Sequence, residues 1–474
     1  MNFFLLLALA FCSQEAVSFE VGQSRRVPVQ THHQLTDKQK ERIQAIAQQA
    51  REAVAMIPRG EQKEQLAGQL AVMIAESGNL STAREIANSI ADDKTRTSVI
   101  SQIVEAQAQS GDVSGALQAA ATITDGASRS EAIQAVAVVQ ANARDFQGAF
   151  QTAGRLQDAP SAYIHALLVI AEAQIAASQK SDGLKTLQIA REVTSKPGAC
   201  EQSAATCRVG LFSEIAKAQF RAGDSDAAEK TLKLAHQGLT DAPEGERFGE
   251  AIELAQAEEE MGHSDRANEL LATLPGGISQ QWLQMQKVSE AAQKGDLAAA
   301  RDVADSIGNS QEKSFAQFAL AAGYAESGDA KGALDTLRKL KPLSFRAKYS
   351  CVVATALAGK GKTEEAEEAL KIGRAAAEVE EDEASLEELA AAAVQVRAEA
   401  GDADGARAKA ELVKDEASLA EALHTAASIL AAKGQDGAVV SWAAAESSPL
   451  LKANLLLGAA EGIAAQKTEN TAKQ

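Results

Sequence analysis

The sequence is short of most of what stacking surfaces, phosphate grips and metal centres are made from. Only 4% of its 474 residues are aromatic: 12 Phe, 3 Tyr and 2 Trp. Platforms that stack bases or sugar rings need such side chains, so their scarcity argues against both ligands. Bases are also outnumbered, 47 Lys and Arg against 65 Asp and Glu, for a net charge of −18. Affinity for phosphate backbones comes largely from Lys and Arg, which excludes nucleic acid as the expected partner and leaves a cationic protein segment open. There are four cysteines and no Cys-x-x-Cys, so no zinc site is expected. None of the six histidines has a partner at His-Glu-x-x-His spacing. His32 and His33 read as part of a polar linker, and His263, directly after Gly262, as a helix cap. No Gly-x-Ser-x-Gly, phosphate-binding loop or dinucleotide fingerprint occurs. No catalytic, cofactor-binding or metal-ligating residues are therefore assigned.

Long apolar runs are missing too. Phe3 to Phe11 is apolar but too short to cross a bilayer, and it matches the core of a secretory signal. Ala16 and Ser18 supply small residues before a cleavage point after Ser18, although no Lys or Arg precedes the apolar run. Phe11 is too large for a lipidation site at Cys12. The expectation is a signal peptide over 1–18 and export to a periplasmic or extracellular space. No later stretch is apolar enough to span a membrane.

What is present is alanine, leucine and straight-chain polar residues, with only 8 prolines, a composition that favours helices. It is organised as a repeat. Ser110-Gly111-Asp112-Val113-Ser114-Gly115-Ala116 returns at Gly223-Asp224, Gly328-Asp329 and Gly401-Asp402, with weaker copies at Gly78, Gly262, Gly295, Gly361 and Gly434. Arg144 and Ser178 occupy the glycine place in two degenerate copies. Successive turns are 33, 33, 34, 45, 39, 33, 33, 33, 40 and 33 residues apart, and the three long intervals read as insertions between units.

The punctuation explains the unit. Glycine ends a helix in the left-handed region, and the following Asp caps the next helix. Five residues beyond the glycine an apolar stripe begins: Ala83, Ala87, Ile90; Ala116, Ala120, Ile123; Ala149, Ala153, Leu156; Ala300, Ala304, Ile307. That is one face of a helix, with alanine where two backbones approach closely. Asp92, Asp125, Asp158 and Asp415, with Asn309, then mark the next unit. Capping-box spacing at Ser128-x-x-Glu131 and Ser418-x-x-Glu421 places the start of its first helix.

The expected fold is all-α: a solenoid of about eleven helix-turn-helix units of about 33 residues over 61–446. A helix over 35–57, opened by a staple and capping box at Leu35-Thr36-x-x-Gln39, caps one end. A helix over 448–465, opened by Ser448-Pro449, caps the other. Residues 19–34 and 467–474 read as disordered, and 35–466 as one domain.

The unit resembles a tetratricopeptide repeat, in which Gly-Asp and a later Ala recur as in Gly111-Asp112…Ala116, Gly223-Asp224…Ala228 and Gly328-Asp329…Ala333. Leu320, Ala321 and Tyr324 match the family's first helix, whereas Gln140, Gln174 and Gln219 stand at the Tyr place elsewhere. The resemblance implies a right-handed superhelix whose concave groove binds peptides or proteins. The function expected is thus a non-catalytic scaffold or adaptor with an unidentified protein partner. The alternatives are a helical-array enzyme of the toroidal glycosidase or lyase type, and a regulatory subunit for an enzyme on another chain. The low aromatic count argues against the enzyme.

Three features stand out from the repeat. Trp282, Phe315 and Lys348 share one phase 33 residues apart, with Met285 and Phe318 three residues later. They form either an apolar anchor strip for a partner or packing between units. Cys200 and Cys207 bracket an insertion and are either a local disulfide or two separate thiols, while Cys351 reads as a small core residue. The run Glu378-Val379-Glu380-Glu381-Asp382-Glu383 reads as a solvated loop and acid-rich helix start, or as a site for a basic peptide.

Overall fold

A computed structural model describes residues 35–200, 204–243, 247–272, 287, 288, 291, 292, 295–308 and 310–466. The segment expected to be a signal peptide, the flanking polar segments, Asn309, Trp282 and Met285 lie outside the described residues. Among the described residues there is no strand, and no helix is long and apolar enough to cross a membrane.

The helices are α1 Asp37–Met56, α2 Glu61–Glu76, α3 Leu80–Asn88, α4 Asp93–Gln109, α5 Val113–Ala120, α6 Gly126–Asn142, α7 Phe146–Ala153, α8 Pro160–Ala176, α9 Lys180–Thr194, α10 Ala204–Arg221, α11 Ser225–Asp241, α12 Arg247–Glu260 and α13 Ser264–Ala272. There follow α14 Leu297–Ser306, α15 Ser310–Ser327, α16 Ala330–Lys339, α17 Leu343–Gly359, α18 Thr363–Glu380, α19 Glu383–Glu399, α20 Ala403–Ala410, α21 Glu416–Ala432, α22 Asp436–Ala445 and α23 Pro449–Ala464. This is an all-α array of tetratricopeptide-like pairs, ten of them described in full from α2·α3 to α21·α22.

Each turn is built as its residues dictate. Gly111 adopts φ 92°, its N–H returns to the Ala108 carbonyl at 2.9 Å, and the Asp112 N–H returns to Gln107 at 3.2 Å. The Asp112 carboxylate then accepts the Gly115 N–H at 2.9 Å and starts α5. Arg144 and Ser178 take the same left-handed conformation at φ 64° and 65°, where a Cβ is a liability. The alanine stripes are the core: Ala83, Ala87, Ala116, Ala120, Ala149, Ala153 and Ala300 are all fully buried.

Three expectations are corrected. The additional residues of the long intervals do not sit only between units. They lengthen the second helix to 15, 17 and 18 residues in α9, α11 and α18, against 8 to 10 in the other second helices. The 40-residue interval adds seven residues, two helical turns, which returns the chain to the same face. Ser128 and Ser418 are not caps but third helical residues, whose N–H groups are received by Asp125 at 2.7 Å and Asp415 at 2.8 Å. Asp158 does not cap α8, which opens on Pro160 after Ala159 with no side-chain cap.

The chain divides into two compact units: a central one, Pro58–Gln280, and a terminal one made of Met1–Ile57 with Gln281–Gln474. In the terminal unit, the two helices expected to shield opposite ends pack against each other instead. The capping box forms at Thr36 and Gln39 as the sequence indicates, but the Gln39 amide also donates to the carbonyls of Ile463 at 2.9 Å and Gln466 at 3.3 Å. Arg42 pairs with Asp436. α1 thus stands to α23 as a second helix stands to a first, its start beside the other's end. α23 requires this, because every residue from Ala453 to Ala460 is buried. On its other side it lies so close to α21 that a Cβ on Gly458 or Gly462 would come within 2.1 Å of the His424 or Ser428 carbonyl.

Candidate functional site

Most of the polar side chains inside the array hold it together. At the family's Tyr place, Gln140, Gln174 and Gln219 are buried, and their amide oxygens accept from Thr152 at 2.6 Å, Thr186 at 2.8 Å and Thr231 at 2.7 Å on the second helix of the same pair. Gln140 also donates to Asp145 at 3.1 Å. Gly148 leaves room for that bridge, since a Cβ there would fall 2.0 Å from the Asp145 carboxylate. A second set ties one pair to the next: Arg84 to Gln107, Arg301 to the Tyr324 hydroxyl, and, with charge reversed, Glu367 to Arg397. The sequence signal for these links was present but easily missed. The first partner directly follows the stripe alanine, at Ala83, Ala300 and Ala366.

The outward faces of the first helices are not used in this way. In the central unit, α2 and α4 approach closely at Gly68, where a Cβ would sit 2.7 Å from Val99 Cγ2. Beside that contact lies a cleft of about 390 Å³ lined by Gln65, Gln69, Val72, Lys94, Thr95, Ser98 and Gln102. The repeat itself creates the lining, because Gln65 and Ser98, and Gln69 and Gln102, are 33 residues apart. The Gln69 side chain makes no hydrogen bond among the described residues. Gln65 and Gln102 bond only along their own helices, to Glu61 at 3.1 Å and to the Ser98 carbonyl at 3.4 Å. Each amide offers both a donor and an acceptor, the pairing that a peptide backbone presents.

Along the same unit the face changes from amide to carboxylate. Glu253 on α12 is largely buried over Gly210 of α10, and its carboxyl is pushed up to about 7, first by burial and then by the charge of Glu214, with Lys217 opposing. Arg221 joins three successive first helices, reaching Glu172 of α8 at 3.0 Å and Glu260 of α12 at 3.5 Å.

In the terminal unit the corresponding face carries the aromatics. Phe318 is buried and stacks on Tyr349 of α17 with ring centroids 3.9 Å apart. Phe315 meets Phe345 edge-on at 4.8 Å and remains half-buried. Phe318 is therefore committed to packing between pairs, whereas Phe315 keeps an exposed edge. Cys351, half-buried on α17, has its thiol pushed well above the usual range, mainly by burial. The Cys200 and Cys207 sulfurs are joined at 2.06 Å, beside the end of α9. The acidic run is not one loop: Glu378 to Glu380 end α18, Glu381 is left-handed at φ 55°, and Asp382 caps α19. Among the described residues no group of three His, Cys, Asp or Glu side chains is placed to hold a metal ion.

No family profile matches the chain, and neither does any curated protein. Solved structures with some likeness include Ton1535 from Thermococcus onnurineus NA1, 16% identical at TM-score 0.23, covering 82% of this chain and 97% of that one. A circular tandem repeat protein with novel repeat topology and enhanced subunit contact surfaces is 13% identical at TM-score 0.15, over 89% and 85%. The APC/C hetero-tetramer Cut9–Hcn1 is 12% identical at TM-score 0.17, over 82% and 96%. Superpositions at these scores do not carry the fold assignment, which rests on the helix pairs and their period. The class so defined is an all-α helical-repeat protein.

Proposed function

We propose that the chain is a non-catalytic adaptor that binds an extended segment of a partner protein along the outward faces of its first helices. We further propose that it acts outside the cytoplasm after export. The cleft between α2 and α4 carries the first reading. Gln65, Gln69 and Gln102 stand there without cross-helix partners, at spacings that offer a peptide backbone alternating donors and acceptors. The carboxylates farther along the same unit favour a segment with basic residues.

The test is an array of unbiased peptides probed with the purified chain and with Gln65→Ala/Gln69→Ala/Gln102→Ala. Binding of a subset by the parent, lost in the variant at an unchanged melting temperature, is the expected result. Equal binding by both, or no binding by either, overturns the reading.

A further inference from the structure

The terminal unit carries its charge unevenly. Between Asp335 and Glu364 the sequence has no Asp or Glu, although the whole chain has a net charge of −18. Arg338, Lys339, Lys341, Arg346 and Lys348 fall in that stretch, about the connection from α16 to α17. Farther on, Glu378, Glu380, Glu381 and Glu383 surround the connection from α18 to α19. Leu343 and Ala347 at the start of α17 share an apolar cluster with Ala376 and Ala377 at the end of α18. The basic and the acidic connection are therefore neighbours on one edge of the unit.

These opposite charges do not neutralise each other within the chain. Arg338 is engaged by Asp335 and Glu368 at 3.2 and 3.3 Å, and Arg346 donates to the Leu340 carbonyl at 3.0 Å. Lys339 and Lys341 on one side, and Glu378, Glu380, Glu381 and Glu383 on the other, are all exposed. None of these six has an ion-pair partner among the described residues. Each patch also holds an apolar centre. Val379 is 70% exposed among the glutamates. On the basic side, Phe315 and Phe345 meet edge-on and are both half-buried. The Ser314 hydroxyl donates to the Lys341 carbonyl, which brings that aromatic pair beside Lys341.

We infer that the two patches are the halves of one self-complementary interface, on which a second copy of this chain docks. Neighbouring patches of opposite charge match themselves when a two-fold axis passes between them: the basic patch of each copy meets the acidic patch of the other. Val379 of one copy then covers the open edges of Phe315 and Phe345 of the other, so both apolar centres leave water. An acidic segment of a different protein would satisfy the basic patch alone, whereas a second copy satisfies both patches at once. Single exposed ion pairs contribute little, but here each is made twice around an apolar contact. The negative charge of both copies opposes their approach. At physiological ionic strength charges farther apart than about 8 Å are largely screened, while pairs at contact keep their attraction. The inference is independent of the peptide reading, which concerns the central unit.

Sedimentation equilibrium of the full chain at about 0.15 M salt tests it, together with two charge-reversed variants. These are Lys339→Glu/Lys341→Glu and Glu378→Lys/Glu380→Lys, at exposed positions, with folding checked by circular dichroism. The parent should form a dimer. Each variant alone faces like charge with like in both contacts and should associate at least about tenfold more weakly. An equimolar mixture should recover the dimer, because unlike variants again join opposite charges at both contacts. Both variants keep a negative net charge, so overall attraction between them does not produce that recovery. A parent chain that stays monomeric up to about 100 μM, or that grows beyond the dimer, overturns the inference. So do variants that dimerise as the parent does, and a mixture that associates no better than either variant alone.

Discussion

The side-chain amide of Gln39 donates to the backbone carbonyl of Ile463 at 2.9 Å, across 424 residues of sequence. The same side chain closes the capping box at Thr36. One residue thus both starts α1 and fixes it to the end of α23. The last first-helix of the chain obtains its partner from the opposite terminus.

Gln39→Leu should destabilise the terminal unit by about 1–2 kcal/mol, because the Ile463 carbonyl keeps only the Gln466 N–H and the capping box at Thr36 is broken. Arg42→Ala, which removes a partly exposed ion pair with Asp436, should cost about 1 kcal/mol or less. Chemical denaturation followed by circular dichroism distinguishes the two.

Arg144 and Ser178 hold the left-handed turn positions that glycine holds in nine other turns. Arg144→Gly and Ser178→Gly should each stabilise the chain by about 1 kcal/mol, the strain removed being larger than the unfolded-state entropy that glycine adds. A lower denaturation midpoint for either variant would contradict this turn assignment.

Burial and Glu214 hold the Glu253 carboxyl at about 7, above its ordinary value. A raised acid favours the folded state only while protonated. Its cost is absent below the ordinary carboxyl range, grows as the pH rises toward 7, and is complete above it. Glu253→Gln should therefore leave the melting temperature nearly unchanged at pH 4.5 and raise stability at pH 8 by about 2 kcal/mol.

Phe318 and Phe315 should separate cleanly in a melting experiment. Phe318→Ala removes a ring stacked on Tyr349 in the core and should cost about 3 kcal/mol or more. Phe315→Ala truncates a half-buried ring and should cost about half as much. If Phe315 instead costs as much as Phe318, its exposed edge is not available to a partner.

Much of this fold was legible in the sequence, and the limits have physical causes. Gly111-Asp112 and its copies encode a local event, a helix stop followed by a cap, and local events depend on few residues. The stripe at Ala116, Ala120 and Ile123 is equally local. The starts of α6 and α21 were misread by three residues because Asp125 and Ser128, like Asp415 and Ser418, both fit a cap, and only the hydrogen bonds decide between them. The packing of α1 on α23 is a long-range contact that no local pattern contains. The sequence nonetheless carried a hint: from Leu455 to Ile463 the helix is apolar on every side apart from Glu461, whereas an end cap needs a polar outer face. The amide cleft was missed because Gln65 and Gln69 look like ordinary surface residues until α4 brings Ser98 and Gln102 beside them.

Moving residues 35–57 to the other end of the chain is the most direct test of this architecture, on which the site assignments rest. A permuted chain would begin at Pro58 and continue from Gln466 through a short glycine-containing turn into residues 35–57. The account predicts one cooperative melt within a few degrees of the parent, while simple deletion of 35–57 lowers it sharply. A permuted chain that melts like the deletion would show that α1 is not the partner of α23.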